Sequence, residues 1–229
     1  MKHIEQFGKL LGTIHRSSRE RAGELAREFD ERSFFQTLRI EPYYRYTASR
    51  QPVAAPFLDE LIAETAATRL ALVHGDYSPK NILICPDKFV LLDHEVIHWG
   101  DPAFDIGFSL THLLSKAHHL PAQRAAFLDA ARLYWNTYSQ EVGLQNPDLL
   151  RDAALPPLRM SLVEARAVRH SLGCLLARVD GRSPLEYLTA AERDSQRAIA
   201  LRLMEAPPAR ISDLVDLFGE HLARPIFSS

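Results

Sequence analysis

Residues 74 to 93 gather side chains suited to gripping a metal ion and accepting a proton. His74-Gly75-Asp76-Tyr77-Ser78-Pro79-Lys80-Asn81 sets an aspartate and an asparagine five residues apart across a tight turn that contains Pro79. Asp93 follows twelve residues after Asn81 and closes the apolar run KFVLL. Adjacent strand ends are expected to bring Asp76, Asn81 and Asp93 near one point, which would then hold two carboxylates and an amide oxygen. Hard oxygen ligands suit Mg²⁺, which takes one or two carboxylates together with water and substrate phosphates. Phosphoryl transfer asks for this set: an aspartate to orient the attacking hydroxyl and an Asn/Asp pair to hold metal on the phosphates. Any one aspartate in a turn is usually only a turn former. The ordered series is harder to assemble by chance. It comprises H-G-D-x-x-x-x-N, a hairpin-length gap, an apolar strand closing on Asp, and G-D-P-x-x-D opening a helix at Gly100 to Asp105.

A rival motif overlaps the same stretch. His94-Glu95-Val96-Ile97-His98 is H-E-x-x-H, the zinc hydrolase pattern. That chemistry needs a helix, where positions i and i+4 present both imidazoles to one metal. Here a strand runs straight into Asp93, and Trp99-Gly100-Asp101-Pro102 ends any helix at once, because residues before proline are pushed to extended conformations. A zinc hydrolase using His94, Glu95 and His98 therefore stands as a remote alternative.

The elements that must position these groups can be read from periodicity. Ile4, Phe7, Leu10, Leu11 and Ile14 share one face of an opening helix. A polar helix is expected over Glu20 to Arg39, Pro42 suits the first turn of a new helix, and Phe57, Leu58, Leu61 and Ile62 mark another amphipathic one. From Leu70 the texture changes: LALVHG, NILI and KFVLL read as three short strands. Beyond Pro102 the pattern returns to helix over Ala103–Lys116, Pro121–Val142, Arg159–Arg178, Leu185–Met204 and Ile211–Leu222, with a loop at Asp180 to Pro184. His15, His112, His118, His119 and His170 are expected on helix faces or at the surface. Tyr134, Trp135 and Tyr138 fall at core-like spacing. The fold class expected is mainly α with a small β element.

Composition narrows the function classes. Of the 229 residues 46% are hydrophobic and 24% charged, which suits a globular domain that buries its own core. The net charge of −2 and the lack of basic runs exclude nucleic acid as an expected partner. No apolar stretch reaches the ~20 residues needed to span a bilayer, and no signal-like leader opens the chain. Cys85 and Cys174 show no metal or disulfide spacing and read as thiols in a reducing compartment. A cytoplasmic protein is the expectation.

LVHGDYSPKNILI followed by FVLLDHEVIHWGDPAFDIGF resembles the catalytic core of aminoglycoside phosphotransferases, choline kinases and methylthioribose kinases, relatives of the protein kinases. FGKLLGTIH resembles the helix after the interlobe hinge of that family, and LARVDGRSPLEYL a C-terminal segment of some members. The resemblance implies a protein-kinase-like C-terminal lobe as one domain over 1–229. Within it, 1–69 would be a helical part, 70–108 the catalytic and metal-binding loops with short strands, and 109–229 a helical substrate-specificity region. It implies an ATP- and Mg²⁺-dependent transfer to a hydroxyl of a small molecule such as an aminoglycoside, choline or a sugar. Asp76 would be the catalytic base, Asn81 and Asp93 the metal and nucleotide ligands, and Glu95 a further acidic group beside the metal. His74 and Asp105 would support the catalytic loop.

A kinase of this kind also needs a glycine-bearing loop and a lysine over the phosphates. Before His74 only Gly8, Gly12 and Gly23 occur, all in helical patterns, and no G-x-G-x-x-G is present there. The expectation is a chain without the nucleotide-binding N-terminal lobe: a fragment, one product of a split gene with the lobe on another chain, or a truncated form. An inactive kinase-like interaction module is the alternative function. The face meant for that lobe would be apolar and would favour poor solubility or a homodimer. Asp129, Glu164 and Asp180 are the acidic side chains weighed as receivers of a substrate amine, against a role as solvated surface charges.

Overall fold

A computed structural model describes residues 1–86, 88–143 and 159–223. The opening helix, α1 (Lys2–Glu20), buries Phe7, Leu11 and His15 on one face, as its spacing requires. It lies along α7 (Arg124–Gly143). Gly8 and Gly12 permit that closeness: a Cβ on Gly8 would come within 2.7 Å of the Tyr134 carbonyl oxygen. The helix expected over Glu20 to Arg39 is broken. A short α2 (Ala22–Glu28) is followed by a non-helical turn, and helix resumes at α3 (Ser33–Phe35).

From α3 the helix continues without a stop through a widened π-helical stretch, Gln36–Arg45, into α4 (Tyr46–Arg50). Pro42 therefore lies inside a helix and does not open one. The proline has no N–H to donate, and its carbonyl accepts the Arg182 N–H at 3.1 Å from a distant loop. Sustained π geometry is rare and concentrates at functional sites; this stretch carries Arg39 and Tyr43 into the site described below. α5 (Ala55–Ala67) follows, with Leu58 and Leu61 fully buried.

Among the described residues four strands, not three, make two small antiparallel sheets. β1 (Ala71–Val73) pairs with β4 (His98–Gly100), Leu72 facing Trp99 and Val73 facing His98. β2 (Ile82–Ile84) and β3 (Phe89–Leu91) form a hairpin, which leaves Leu83 and Ile84 more than half exposed. Behind the sheets, α6 (Ala103–His119) packs against α7 and against α8 (Met160–Asp180). Nearly every residue of α6 from Ala103 to Leu114 is buried, so this helix is the centre of the molecule.

The later helices are α9 (Ala190–Glu205) and α10 (Ile211–Ala223). The helix expected from Leu185 starts at Ala190 instead. Thr189 and Glu192 form a reciprocal capping box there, and residues 181–189 stay in the loop. Of the expected specificity region 109–229, residues 144–158 and 224–229 lie outside those described. The fold is mainly α with a small β element.

Candidate active site

β1 ends at Val73, and the next eight residues form a loop tied down at almost every position. The Asp105 carboxylate, on the first turn of α6, accepts the backbone N–H of His74 at 2.7 Å and of Gly75 at 2.8 Å. Gly75 has φ +77°, and a Cβ there would lie 2.8 Å from Val96 Cγ2, so glycine alone fits. The Tyr77 hydroxyl donates to the Phe7 carbonyl at 2.7 Å, with the two rings stacked 4.5 Å apart. Ser109 Oγ donates to the Tyr77 carbonyl at 2.7 Å. Pro79 then sets a single tight helical turn that delivers Asn81 to the start of β2.

This anchoring fixes Asp76, which is 2% exposed. Its Oδ2 accepts a hydrogen bond from Asn81 Nδ2 at 3.0 Å and forms ion pairs with Lys80 Nζ at 2.8 Å and Arg39 Nη2 at 3.2 Å. Asn81 Nδ2 also donates to the Asp76 carbonyl at 2.9 Å, which orients the amide and turns its oxygen the other way. Asp76 Oδ1 has no hydrogen-bond partner among the described residues.

His74 joins the two halves of the site. Its Nδ1 accepts the Asp76 N–H at 3.2 Å, so its other nitrogen carries the proton and donates to the Leu92 carbonyl at 3.0 Å. Leu92 N–H in turn donates to the Asn81 carbonyl at 2.9 Å. The next residue, Asp93, has φ +65°, the one non-glycine left-handed residue described. Such conformations cost roughly 1–3 kcal/mol and gather at functional sites. The carboxylates of Asp93 and Glu95 are exposed and make no hydrogen bond or ion pair with the described residues.

Asp76, Asp93 and Glu95 line one cavity of about 290 Å³, and Asn81, outside its lining, is hydrogen-bonded to Asp76. The structure thus brings together the residues expected from spacing, with His74 and Asp105 behind them. The donor set, carboxylates and an amide oxygen, fits Mg²⁺ bridging phosphates. It is not a preformed cage: among the described residues no three His, Cys, Asp or Glu side chains are grouped to hold a metal. The H-E-x-x-H reading fails on geometry. His94 is exposed, while His98 is buried in β4 and bonds the Val96 carbonyl through Nδ1 at 2.9 Å.

Three neighbours were invisible to spacing. Arg39 is 9% exposed and also donates from Nε to the Gly75 carbonyl at 2.6 Å. It sits 37 residues before Asp76, on the π-helical stretch, and only tertiary contact reveals it. His15 proves to be fully buried, bonding Tyr138 Oη at 2.9 Å and Asp105 Oδ2 at 3.3 Å. Burial pushes the Asp105 carboxyl up, but the bond and charge of His15, with the nearby His74, hold it below its ordinary value. Asp101, of the same G-D-P-x-x-D segment, is fully buried in an ion pair with Arg166 at 2.7 Å. Burial opposes its ionisation, yet the hydrogen-bonded Arg166 guanidinium and the nearby His170, 3.9 Å away, bring it down to about 2. His118 and His170 lie on helix faces and are likewise buried.

The candidate amine receivers are engaged elsewhere. Asp180 pairs with Arg197, Asp129 with Arg132, and Glu164 accepts the Ile211 N–H. No helix among the described residues is long and apolar enough to cross a membrane.

The chain is 32% identical over 94 residues to a methylthioribose kinase of Enterobacter sp. (strain 638), covering 37% of this chain and 24% of the relative. It is 26% identical over 145 residues to a methylthioribose kinase of Geobacillus thermodenitrificans (strain NG80-2), covering 55% of this chain and 36% of that one. A solved structure of amicoumacin kinase hAmiN in complex with AMP-PNP, Ca²⁺ and Ami superposes with a TM-score of 0.54 at 16% identity, over 92% of this chain and 62% of that chain. That likeness shows a shared kinase-like fold. The chain thus spans about a quarter to a third of the curated relatives it matches. The family model for the phosphotransferase enzymes matches residues 2–142, which hold the whole cluster from His15 to Asp105, and the chain belongs to the phosphotransferase enzyme family.

Proposed function

We propose that this chain is the catalytic lobe of a small-molecule kinase that transfers the γ-phosphoryl group of ATP to a hydroxyl. The observation that carries the reading is the asymmetry of Asp76, a residue that lines the cavity: Oδ2 is held by Asn81, Lys80 and Arg39, while Oδ1 has no hydrogen-bond partner among the described residues and is left for a substrate. An alcohol placed there would give its proton to Asp76 as its oxygen bonds to the γ-phosphorus and the bond to ADP breaks. Asn81 Oδ1 and Asp93, with Glu95 beside them, would hold Mg²⁺, which supplies charge neutralisation on the phosphates when bound. Lys80 and Arg39 hold Asp76 in place, and His74 keeps Asp76 in register with Asp93.

Covering the phosphates needs a glycine-bearing loop, and residues 1–73 contain no G-x-G-x-x-G. The reading assigns that part to a further lobe. A cytoplasmic setting, where ATP is supplied, completes it.

Calorimetric titration of the chain with ATP, with and without Mg²⁺, tests the proposal. Saturable binding that needs the metal, and that weakens at least roughly tenfold in Asp93→Ala, is expected. Absence of metal-dependent binding would leave an inactive kinase-like module as the better description.

A further inference from the structure

The same cavity has a basic wall. Beyond the three carboxylates it is lined by Arg39, Lys80, Arg178 and Arg182. Arg39 and Lys80 are paired with Asp76. Arg178 is different: it is 7% exposed, yet no described carboxylate lies within ion-pair distance of it. Its Nη1 donates to the carbonyl and hydroxyl of Ser183, at 2.8 and 3.0 Å. Its Nη2 reaches only His112 Nε2 at 3.5 Å, and its Nε has no partner.

The Arg178 guanidinium rests over the rings of Tyr43 and Phe108, 5.3 and 5.6 Å from their centroids. Aromatic faces soften the burial of a cation but do not neutralise it. Buried charges are ordinarily paired. His112 offers no compensation, because burial and the Arg178 charge push it down to about 3 and leave it neutral. Four residues on, Arg182 is exposed, lies over the Tyr46 ring at 4.9 Å and also meets no described carboxylate. Once Asp76 is shared by Arg39 and Lys80, and Asp93 and Glu95 are given to a metal, these two guanidinium groups remain without a counter-charge. A planar fork of donors matches a carboxylate or a phosphate.

We infer that the acceptor is an anionic alcohol, whose carboxylate or phosphate is held by Arg178 and Arg182 while its hydroxyl meets Asp76. The inference rests on the kinase reading above and narrows its substrate class. A cationic acceptor, such as an amine-bearing sugar, would meet like charge on this wall.

The test is titration of the full chain with D-glycerate, glycerol 3-phosphate, uncharged glycerol and ethanolamine, each with and without Mg-ATP. At least one of the two anions is expected to bind roughly tenfold or more tightly than glycerol, about the worth of one charge-assisted contact, and in the presence of Mg-ATP. The two anion arms distinguish carboxylate from phosphate. Arg182→Gln, on an exposed side chain that does not threaten folding, should weaken that binding several-fold. Arg178→Lys should retain more of it than Arg178→Gln. Glycerol or ethanolamine binding as well as both anions would overturn the inference, as would no anion binding at all. Displacement of the anion by Mg-ATP would overturn it too, because the arginines would then serve the nucleotide. Binding of Mg-ATP is read in the same titrations, so its loss defeats the kinase reading and its presence without anion preference defeats only this one.

Discussion

The Asp105 carboxylate holds His74 by its backbone N–H at 2.7 Å, so the first turn of α6 dictates the path of the loop that leaves β1. The same carboxylate takes Gly75 N–H and meets His15, and all three partners are buried. Asp105→Ala would strand two buried backbone donors at once. Each stranded donor costs about 1–3 kcal/mol, so a loss of roughly 3 kcal/mol in urea unfolding is expected. A loss below about 1 kcal/mol would show that the brace does not support the loop.

His74 ties the proton-accepting side of the site to the metal side, with its ring between the Asp76 N–H and the Leu92 carbonyl. Groups that orient ligands from behind typically contribute ten- to a hundredfold to metal affinity. His74→Ala is expected to weaken Mg-ATP binding at least about tenfold by calorimetry, while the far-ultraviolet circular dichroism stays helical.

Two cations meet Asp76, and burial separates their contributions. The Arg39 side chain is 10% exposed and the Lys80 side chain 59%. An exposed pair contributes about 0–1 kcal/mol, whereas breaking a buried pair costs roughly 3–5 kcal/mol. Denaturant unfolding should therefore show Lys80→Met near wild type and Arg39→Met strongly destabilised. Equal effects would contradict the burial argument.

Gly75→Ala combines a left-handed backbone with a Cβ pressed on Val96. Strain at φ +77° and overpacking each cost about 1–3 kcal/mol, so a loss of roughly 2–4 kcal/mol is expected. Thermal unfolding at matched concentration reads it.

Acid should loosen the fold through two buried histidines. Burial brings His98 down to about 4, and burial with the Arg178 charge brings His112 down to about 3. Both rings are neutral when folded, but in the unfolded chain they bind protons once the pH drops below about 6.5. Their stability contribution is therefore complete above pH ~6.5, declines as pH falls from there toward the folded values, and levels off below them. By pH 5 each ring should remove on the order of 2 kcal/mol, seen as a lower urea midpoint than at pH 7. His112→Gln should flatten that slope. An unchanged midpoint between pH 7 and 5 would refute the assignment.

What the sequence determined by itself is local. His74 to Asn81 is one turn shaped by Gly75 and Pro79, and Asp93 closes an apolar strand, so backbone preferences over a few residues were enough to make the site legible. The long helices follow likewise from periodic burial, as in α1 and α6. Thr189 and Glu192 spelled out the true start of α9, although apolar periodicity alone ran the helix back to Leu185. Tertiary structure decided the rest. β4 is three residues long and exists because it pairs with β1, Val73 facing His98. Arg39 reaches Asp76 because α3 continues into a π-helical stretch that Pro42 does not end. His15 and His170 read from the sequence only as helix-face or surface groups, and each is buried because Asp105 and Tyr138, or Tyr44, waits across the core to bond it. The physical reason is common to all four cases. A hydrogen bond or ion pair between residues far apart in the chain leaves no periodic trace in either segment, and it acquires its meaning only when packing removes the competing water.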